Sequence, residues 1–279
     1  MKTRILSGLI MLPLLIIIIL RGWVLFAGCF VLSLMAVYEF YRGFKELNIK
    51  PSYPIAVGST LALYIIGVLS YVGSEYTMSV FSSELIFMLW AFGTVLACLL
   101  YLFKIEERKL EDAMVTLIGI FYVVFFCYHL AKLGMLSYMG ITVWLVVITA
   151  FGTDICAYFA GVTMGKHKLC PIISPKKTWE GAIGGVLGSV ILCGLFGFFF
   201  MKDEMALCLI VGFLGSIISM FGDLTASIFK RKMGIKDYGN LIPGHGGIMD
   251  RFDSILFTAP LVYYVVMVLS VIGNTGLWN

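Results

Sequence analysis

Nine apolar runs, each about the length of a membrane-crossing helix, alternate with short polar segments along the chain: 5–20, 23–38, 55–72, 85–103, 114–130, 141–159, 182–201, 206–221 and 255–272. A helix needs roughly 20 apolar residues to cross a hydrocarbon layer about 30 Å thick. The pattern predicts an all-α, polytopic helical membrane protein with about nine transmembrane helices and no separate soluble domain.

Composition agrees. Of 279 residues, 61% are hydrophobic and 13% charged, against roughly 45–50% and 25% in soluble domains. Disorder is excluded by the same surplus of apolar surface. A net charge of +4 says little about partners, and no nucleic acid is expected among them. The positions of the charges say more. With the N-terminus in the cytoplasm, 17 of the 20 Lys and Arg residues fall on the cytoplasmic side, leaving only Arg21, Lys132 and Lys202 outside. That asymmetry follows the positive-inside rule and places the C-terminus outside. Met1 to Arg4 and the run behind them read as a retained first span, because no small-x-small cleavage site follows directly. The seven cysteines include no C-x-x-C pair, so they read as small packing residues.

The two halves differ in where their polar residues fall. In residues 1–139 these residues sit between the spans, as in a scaffold. In 140–279 carboxylates enter the apolar runs, and two polar segments, 165–181 and 223–253, carry most of the candidate chemistry. Asp154 lies inside one run and Asp223 directly follows another. A carboxylate at membrane depth costs several kcal/mol, about 3 by insertion scales, so it normally faces a cavity, a partner or an ion; a plain helix–helix hydrogen bond is the blander explanation.

Segment 165–181 carries four lysines, Ser174, Pro175, Thr178 and Glu180. Ser174 or Thr178 is placed to cap the next helix. The same helix N-terminus, with Lys176 and Lys177 beside it, would favour phosphate. Gly161-x-x-x-Gly165-Lys166-His167 is one residue short of a P-loop and lacks its hydroxyl residue, so a Walker A site is rejected. Gly181, Gly184, Gly185 and Gly188 read as close-packing positions on the next span.

Segment 223–253 packs four carboxylates, five basic residues, one histidine and five glycines into 31 residues. A connector would need the basic residues for topology but not Asp250 and Asp253, which share one face of a helix beginning near Asp250. Oxygen donors without cysteine favour Mg²⁺, Mn²⁺ or Ca²⁺ over zinc. Basic groups around such an ion suit a polyphosphate.

The order Ser227, Lys230-Arg231, Lys236-Asp237, Gly239, Ile242-Pro243, His245-Gly246-Gly247 and Asp250-Arg251-x-Asp253 resembles, position by position, the signature of the phosphatidate cytidylyltransferases (CDP-diacylglycerol synthases). Ser174-Pro-Lys-Lys-Thr-Trp-Glu180-Gly181 and the run around Asp154, Ala157-Tyr158 and Gly161 are similar to that family too, so the resemblance extends from Ile141 to the C-terminus. It implies a transferase that moves the cytidylyl group of CTP to phosphatidic acid, yielding CDP-diacylglycerol and pyrophosphate for phospholipid synthesis. Asp223 and Asp250 are then the leading metal ligands, with Asp253 a third and Asp154 an additional carboxylate. Lys176, Lys177, Lys230, Arg231, Lys236 and Arg251 are candidates for the phosphates of the two substrates, with Ser174 and Asp237 beside them. His245 would bind phosphate or protonate the leaving pyrophosphate; a solvated loop histidine is the plainer reading. Mg²⁺, with or without a second cation, is the expected cofactor. The resemblance also implies a homodimer; a bacterial inner membrane is the expected location, with the site facing the cytoplasm. Two other functions fit parts of the pattern: a transporter lined by Asp154 and Asp223, and a related CTP-using lipid kinase that moves the γ-phosphate.

Overall fold

The computed structural model describes residues 16–75, 83–136, 139–241 and 246–272. Among them are nine α-helices: α1 (Gly22–Gly43), α2 (Tyr53–Glu75), α3 (Ser83–Leu100), α4 (Leu110–Ile118), α5 (Phe126–Met135), α6 (Val143–Met164), α7 (Trp179–Phe200), α8 (Met205–Met233) and α9 (Met249–Ile272). One π-helical segment, Gly119–Phe125, joins α4 to α5. Eight stretches of the described residues are long and apolar enough to cross a membrane, with α4, the π segment and α5 counting as one, Leu110–Met135. Each matches one of the expected runs. The remaining run, 5–20, lies largely outside the described residues; residues 16–20 are helical.

The helices are apolar on every side, and large side chains such as Met88, Phe92 and Phe199 stand exposed on them, where lipid would cover them. The four helices α6 to α9 pack each against the next in order, and α9 also lies on α5, which in turn packs on α1. Residues 139–272 and 16–136 are therefore joined through α9, and through Phe229 of α8, which packs against Phe40, Phe44 and Tyr122. Close approach of α6 and α7 depends on the glycines expected to allow it. A Cβ at Gly184 would collide with Ala160, and one at Gly188 with Cys156. Without a hydrophobic drive between helices in lipid, such backbone contact is what makes dispersion forces sufficient.

Three features go beyond the hydropathy pattern. The segment beginning at Asp223 is not a loop at first: α8 continues through it to Met233. At 1.5 Å per residue its 29 residues extend about 43 Å, longer than the hydrocarbon layer, so its end with Lys230, Arg231 and Lys232 reaches past the apolar zone. Those charges also complement the negative helix end. Gly234, at φ 71°, then stops the helix, with the Ile235 amide donating to the Lys230 carbonyl, a left-handed cap that glycine adopts without strain. Segment 165–181 forms a hairpin of β1 (Lys168–Cys170) and β2 (Ser174–Thr178), paired antiparallel with Lys168 opposite Thr178. It is the only sheet among the described residues, and the all-α class stands. Lastly, the π segment starts beside the Thr116 carbonyl, which accepts from the Tyr41 hydroxyl at 2.6 Å as well as from the Gly119 amide. The Tyr41 ring sits against Gly119, where a Cβ would collide with it.

Candidate active site

Three elements place the candidate side chains around one cavity of about 440 Å³. Asp154 faces it from α6 and Asp223 from α8, while Lys168, Lys176 and Lys177 reach it from the hairpin. The hairpin is fixed at both ends. Thr178 is the N-cap of α7, its Oγ1 accepting from the Gly181 amide at 3.1 Å. The Glu180 carboxylate accepts from the His167 ring at 2.6 Å and from its backbone amide at 3.2 Å. Thr178, not Ser174, is thus the cap, and Glu180 secures the entry of the hairpin. Both lysines of Lys176-Lys177 are held at the positive end of α7.

Lys177 Nζ pairs with Asp223 Oδ2 at 2.6 Å, which bridges the hairpin to α8. Arg231 strengthens the same junction, its Nε donating to the Ile173 carbonyl at 3.4 Å. Ser227 lies one turn below Asp223 and donates to its Oδ1 at 3.4 Å. Asp253 is buried on α9 and accepts from the Ser254 amide at 2.8 Å. Asp223 and Asp154 are near enough for their negative charges to act on it. Arg251 acts electrostatically on Asp154.

Asp250 has a different environment. Its Oδ1 takes the Lys230 ammonium at 2.8 Å, and its Oδ2 accepts from the backbone amides of Tyr238 (2.8 Å) and Gly247 (3.0 Å). Three donors occupy three of the about four acceptor positions of the carboxylate, so Asp250 is anchored by the protein and keeps one position on Oδ1 for a cation. Tyr238 is buried, and burial pushes its hydroxyl well above its ordinary pKa; it stays protonated and donates to the Ala226 carbonyl at 3.1 Å. Asp250 and Tyr238 together fold the segment after α8 back onto that helix. Lys236 and Asp237 are exposed on this segment, and His245 lies outside the described residues.

The scaffold half contributes two residues that the sequence did not single out. Glu39 is a buried carboxylate on α1, and its Oε2 accepts from the Met249 amide at 2.9 Å. It thereby satisfies one of the free N–H groups at the start of α9, the helix that carries Asp250 and Asp253. Gly239 and Gly247 leave room for it: a Cβ at either would run into its carboxylate. The apolar run predicted to end at 38 continues as helix to Gly43. Seen inside that longer helix, Glu39 meets the same intramembrane-carboxylate criterion that singled out Asp154. The other residue is Tyr122, on the π segment. Its buried hydroxyl has no hydrogen-bond partner among the described residues, and Asp253 and Asp223 are the charges acting on it.

Glu39→Ala removes a cap from the start of α9 and is expected to cost about 1–2 kcal/mol. Thermal unfolding in detergent measures it. Glu39→Gln, which keeps an acceptor oxygen, is expected to lose less, and an unchanged midpoint for the alanine variant would show that the contact does not hold α9.

The donor set fits a hard divalent cation. The carboxylates of Asp154, Asp223 and Asp253 supply oxygen only, and the orphaned Tyr122 hydroxyl is within electrostatic reach of two of them, Asp253 and Asp223. Among the described residues no three His, Cys, Asp or Glu side chains form a ready-made cage. Mg²⁺ does not need one, since it is usually bound through one or two carboxylates together with waters and substrate phosphates.

Beside the polar cavity runs an apolar groove of about 520 Å³, lined by Trp179, Ile183 and Leu187 of α7 and Ile217 and Phe221 of α8. Leu169, Ala182 and Met220 belong to the walls of both. The arrangement can hold an anionic head next to an aliphatic tail.

Comparison with known proteins gives a concordant result. The model of the cytidylyltransferase family matches residues 2–269. A phosphatidate cytidylyltransferase of Synechocystis sp. is 34% identical over 289 residues, covering 92% of this chain and 94% of its own. One from Staphylococcus haemolyticus is 35% identical over 264 residues, covering 93% and 95%. One from Staphylococcus aureus (strain COL) reaches 42% over 150 residues, 53% of this chain and 55% of its own.

Proposed function

Because the chain belongs to the cytidylyltransferase family, we propose that it transfers the cytidylyl group of CTP to phosphatidic acid, forming CDP-diacylglycerol and pyrophosphate. The observation that carries this reading is the polar cavity with Asp154, Asp223, Lys176 and Lys177 sharing a wall with an apolar groove. A nucleotide needs only the first. A phospholipid substrate needs both, its phosphate among the lysines and an acyl chain along α7 and α8.

In the reaction a phosphate oxygen of phosphatidate forms a bond to the α-phosphorus of CTP while the bridging bond from that phosphorus to the β-phosphate breaks, and pyrophosphate leaves with the electron pair. The attacking phosphate is already ionised near neutral pH, so no strong general base is called for. What the chain must supply is alignment of two anions and neutralisation of their charge. Lys176 and Lys177, beside the N-terminus of α7, bind phosphate oxygens. Arg231 extends the basic surface along α8, Lys236 and Arg251 complete it, and Lys230, paired with Asp250, lies beneath it. The unpartnered Tyr122 hydroxyl, within electrostatic reach of Asp253 and Asp223, is free to donate to a phosphate oxygen or a bound water. Mg²⁺, held by Asp223 and Asp253 with Asp154 beside them, would when bound offset charge on the reacting phosphates. Asp250 keeps Lys230 and the start of α9 in place. The reading includes a site facing the cytoplasm of a bacterial inner membrane, where soluble CTP meets a lipid headgroup, and a homodimeric assembly.

Purified protein supplied with CTP, Mg²⁺ and phosphatidic acid is expected to release pyrophosphate in step with lipid turnover. Release of CDP instead would identify a kinase, and absence of turnover would favour a transport role.

A further inference from the structure

A second polar cavity lies away from the acidic site, and nothing in the proposed reaction uses it. It measures about 400 Å³ and is bounded by α2, α3, α5 and α9, with Tyr128, His129, Lys132, Tyr263 and Tyr264 in its wall. Asp253 and Tyr263 are both on α9, ten residues apart, about 15 Å along the axis. Lys132 is in the last turn of α5, whereas the other end of the same span, at Asp112, is bound to the Lys50 amide at 2.6 Å. The cavity therefore belongs to the end of the bundle opposite that junction.

Its chemistry is specific. His129 is buried; its Nδ1 lies 2.8 Å from the Phe125 carbonyl and its Nε2 3.1 Å from the Tyr264 hydroxyl. A carbonyl only accepts, so Nδ1 carries the proton, and in the neutral ring Nε2 accepts from Tyr264. A satisfied neutral imidazole adds no charge. Among the described residues Lys132 is thus the one cation in the wall, no carboxylate lines the cavity with it, and no ion pair to Lys132 occurs. A lysine that only reached for the membrane surface would snorkel along its helix and need no cavity. An ammonium beside a cavity walled by tyrosine and phenylalanine rings calls for an anion attached to an apolar body. Tyr264 is half exposed, so part of the cavity wall reaches the surface of the helix bundle.

We propose that this cavity is a lipid site separate from the reaction centre, which takes the phosphate of an anionic glycerophospholipid, with Lys132 against the phosphate and the aromatic wall against the glycerol and first methylenes. It stabilises the bundle where α5 and α9 meet, on the helix that carries Asp253.

The test uses the whole protein, stripped of lipid and returned to nanodiscs of phosphatidylcholine with or without phosphatidylglycerol, which is not a substrate of the proposed reaction. Wild-type protein is expected to retain one phosphatidylglycerol per chain in native mass spectrometry and to unfold at a higher temperature with it. Lys132→Gln is expected to weaken retention about fivefold, the effect of one basic group near an anionic lipid, while pyrophosphate release continues. Lys132→Arg, which keeps the charge, is expected to retain lipid as wild type does. Equal retention of phosphatidylcholine and phosphatidylglycerol, or equal loss in both variants, would overturn the proposal. So would inorganic phosphate that reproduces the stabilisation without lipid.

Discussion

Asp223→Asn is expected to slow cytidylyl transfer at least about a thousandfold, equivalent to roughly 4 kcal/mol of transition-state stabilisation. Asp223 is where the parts of the site meet. It pairs with Lys177 of the hairpin, accepts from Ser227 on its own helix and lines the cavity. Asparagine keeps the size but removes the charge, so the ion pair and an anionic oxygen donor for a cation are lost together. The fold should tolerate the change. Both side chains of the pair are about a quarter exposed, at 24% and 28%, and partly solvated pairs of this kind contribute only about 1 kcal/mol or less. Turnover of reconstituted protein and thermal unfolding, measured side by side, separate the two effects. Near-normal turnover would remove Asp223 from the reaction.

Asp250→Ala is expected to do the opposite, acting on the fold as strongly as on the rate. Lys230 and Asp250 are only 16% and 4% exposed. Deleting the carboxylate leaves a buried ammonium and two backbone amides without their acceptor, a loss of about 3–5 kcal/mol. Lys230→Met in the same chain removes the stranded charge and is expected to restore part of the stability but none of the activity. A double-mutant cycle by chemical denaturation reads the coupling directly. If Asp250→Ala proves as stable as wild type, the pair does not hold the segment between α8 and α9.

What the sequence made legible, and what it did not, follows the range of the interactions. The spans could be read because each is decided by its own apolar run. Asp154 and Asp223 stood out because a carboxylate in such a run is locally anomalous. The glycines of α7 could be read for their spacing, and the structure sets them against α6. Glu39 was hidden because its partner, the Met249 amide, is 210 residues away, and because its helix extends a turn beyond the apolar run. Tyr122 was hidden because it lies on a π turn, beside a contact from Tyr41 of another helix, and neither feature is written in the apolar run. Asp250 was correctly marked as unusual in sequence, yet its three protein donors appear only once α8, the following segment and α9 are assembled.

The central claim is that the cavity between α6, α8 and the hairpin moves the α-phosphoryl group of CTP, with its nucleoside, onto a lipid phosphate. Two samples of CTP, one labelled with ³²P at the α position and one at the γ position, test it in a single extraction of the lipid product. The account predicts label in the lipid from α-labelled CTP only, with the γ label recovered as pyrophosphate. Label in the lipid from γ-labelled CTP would contradict it.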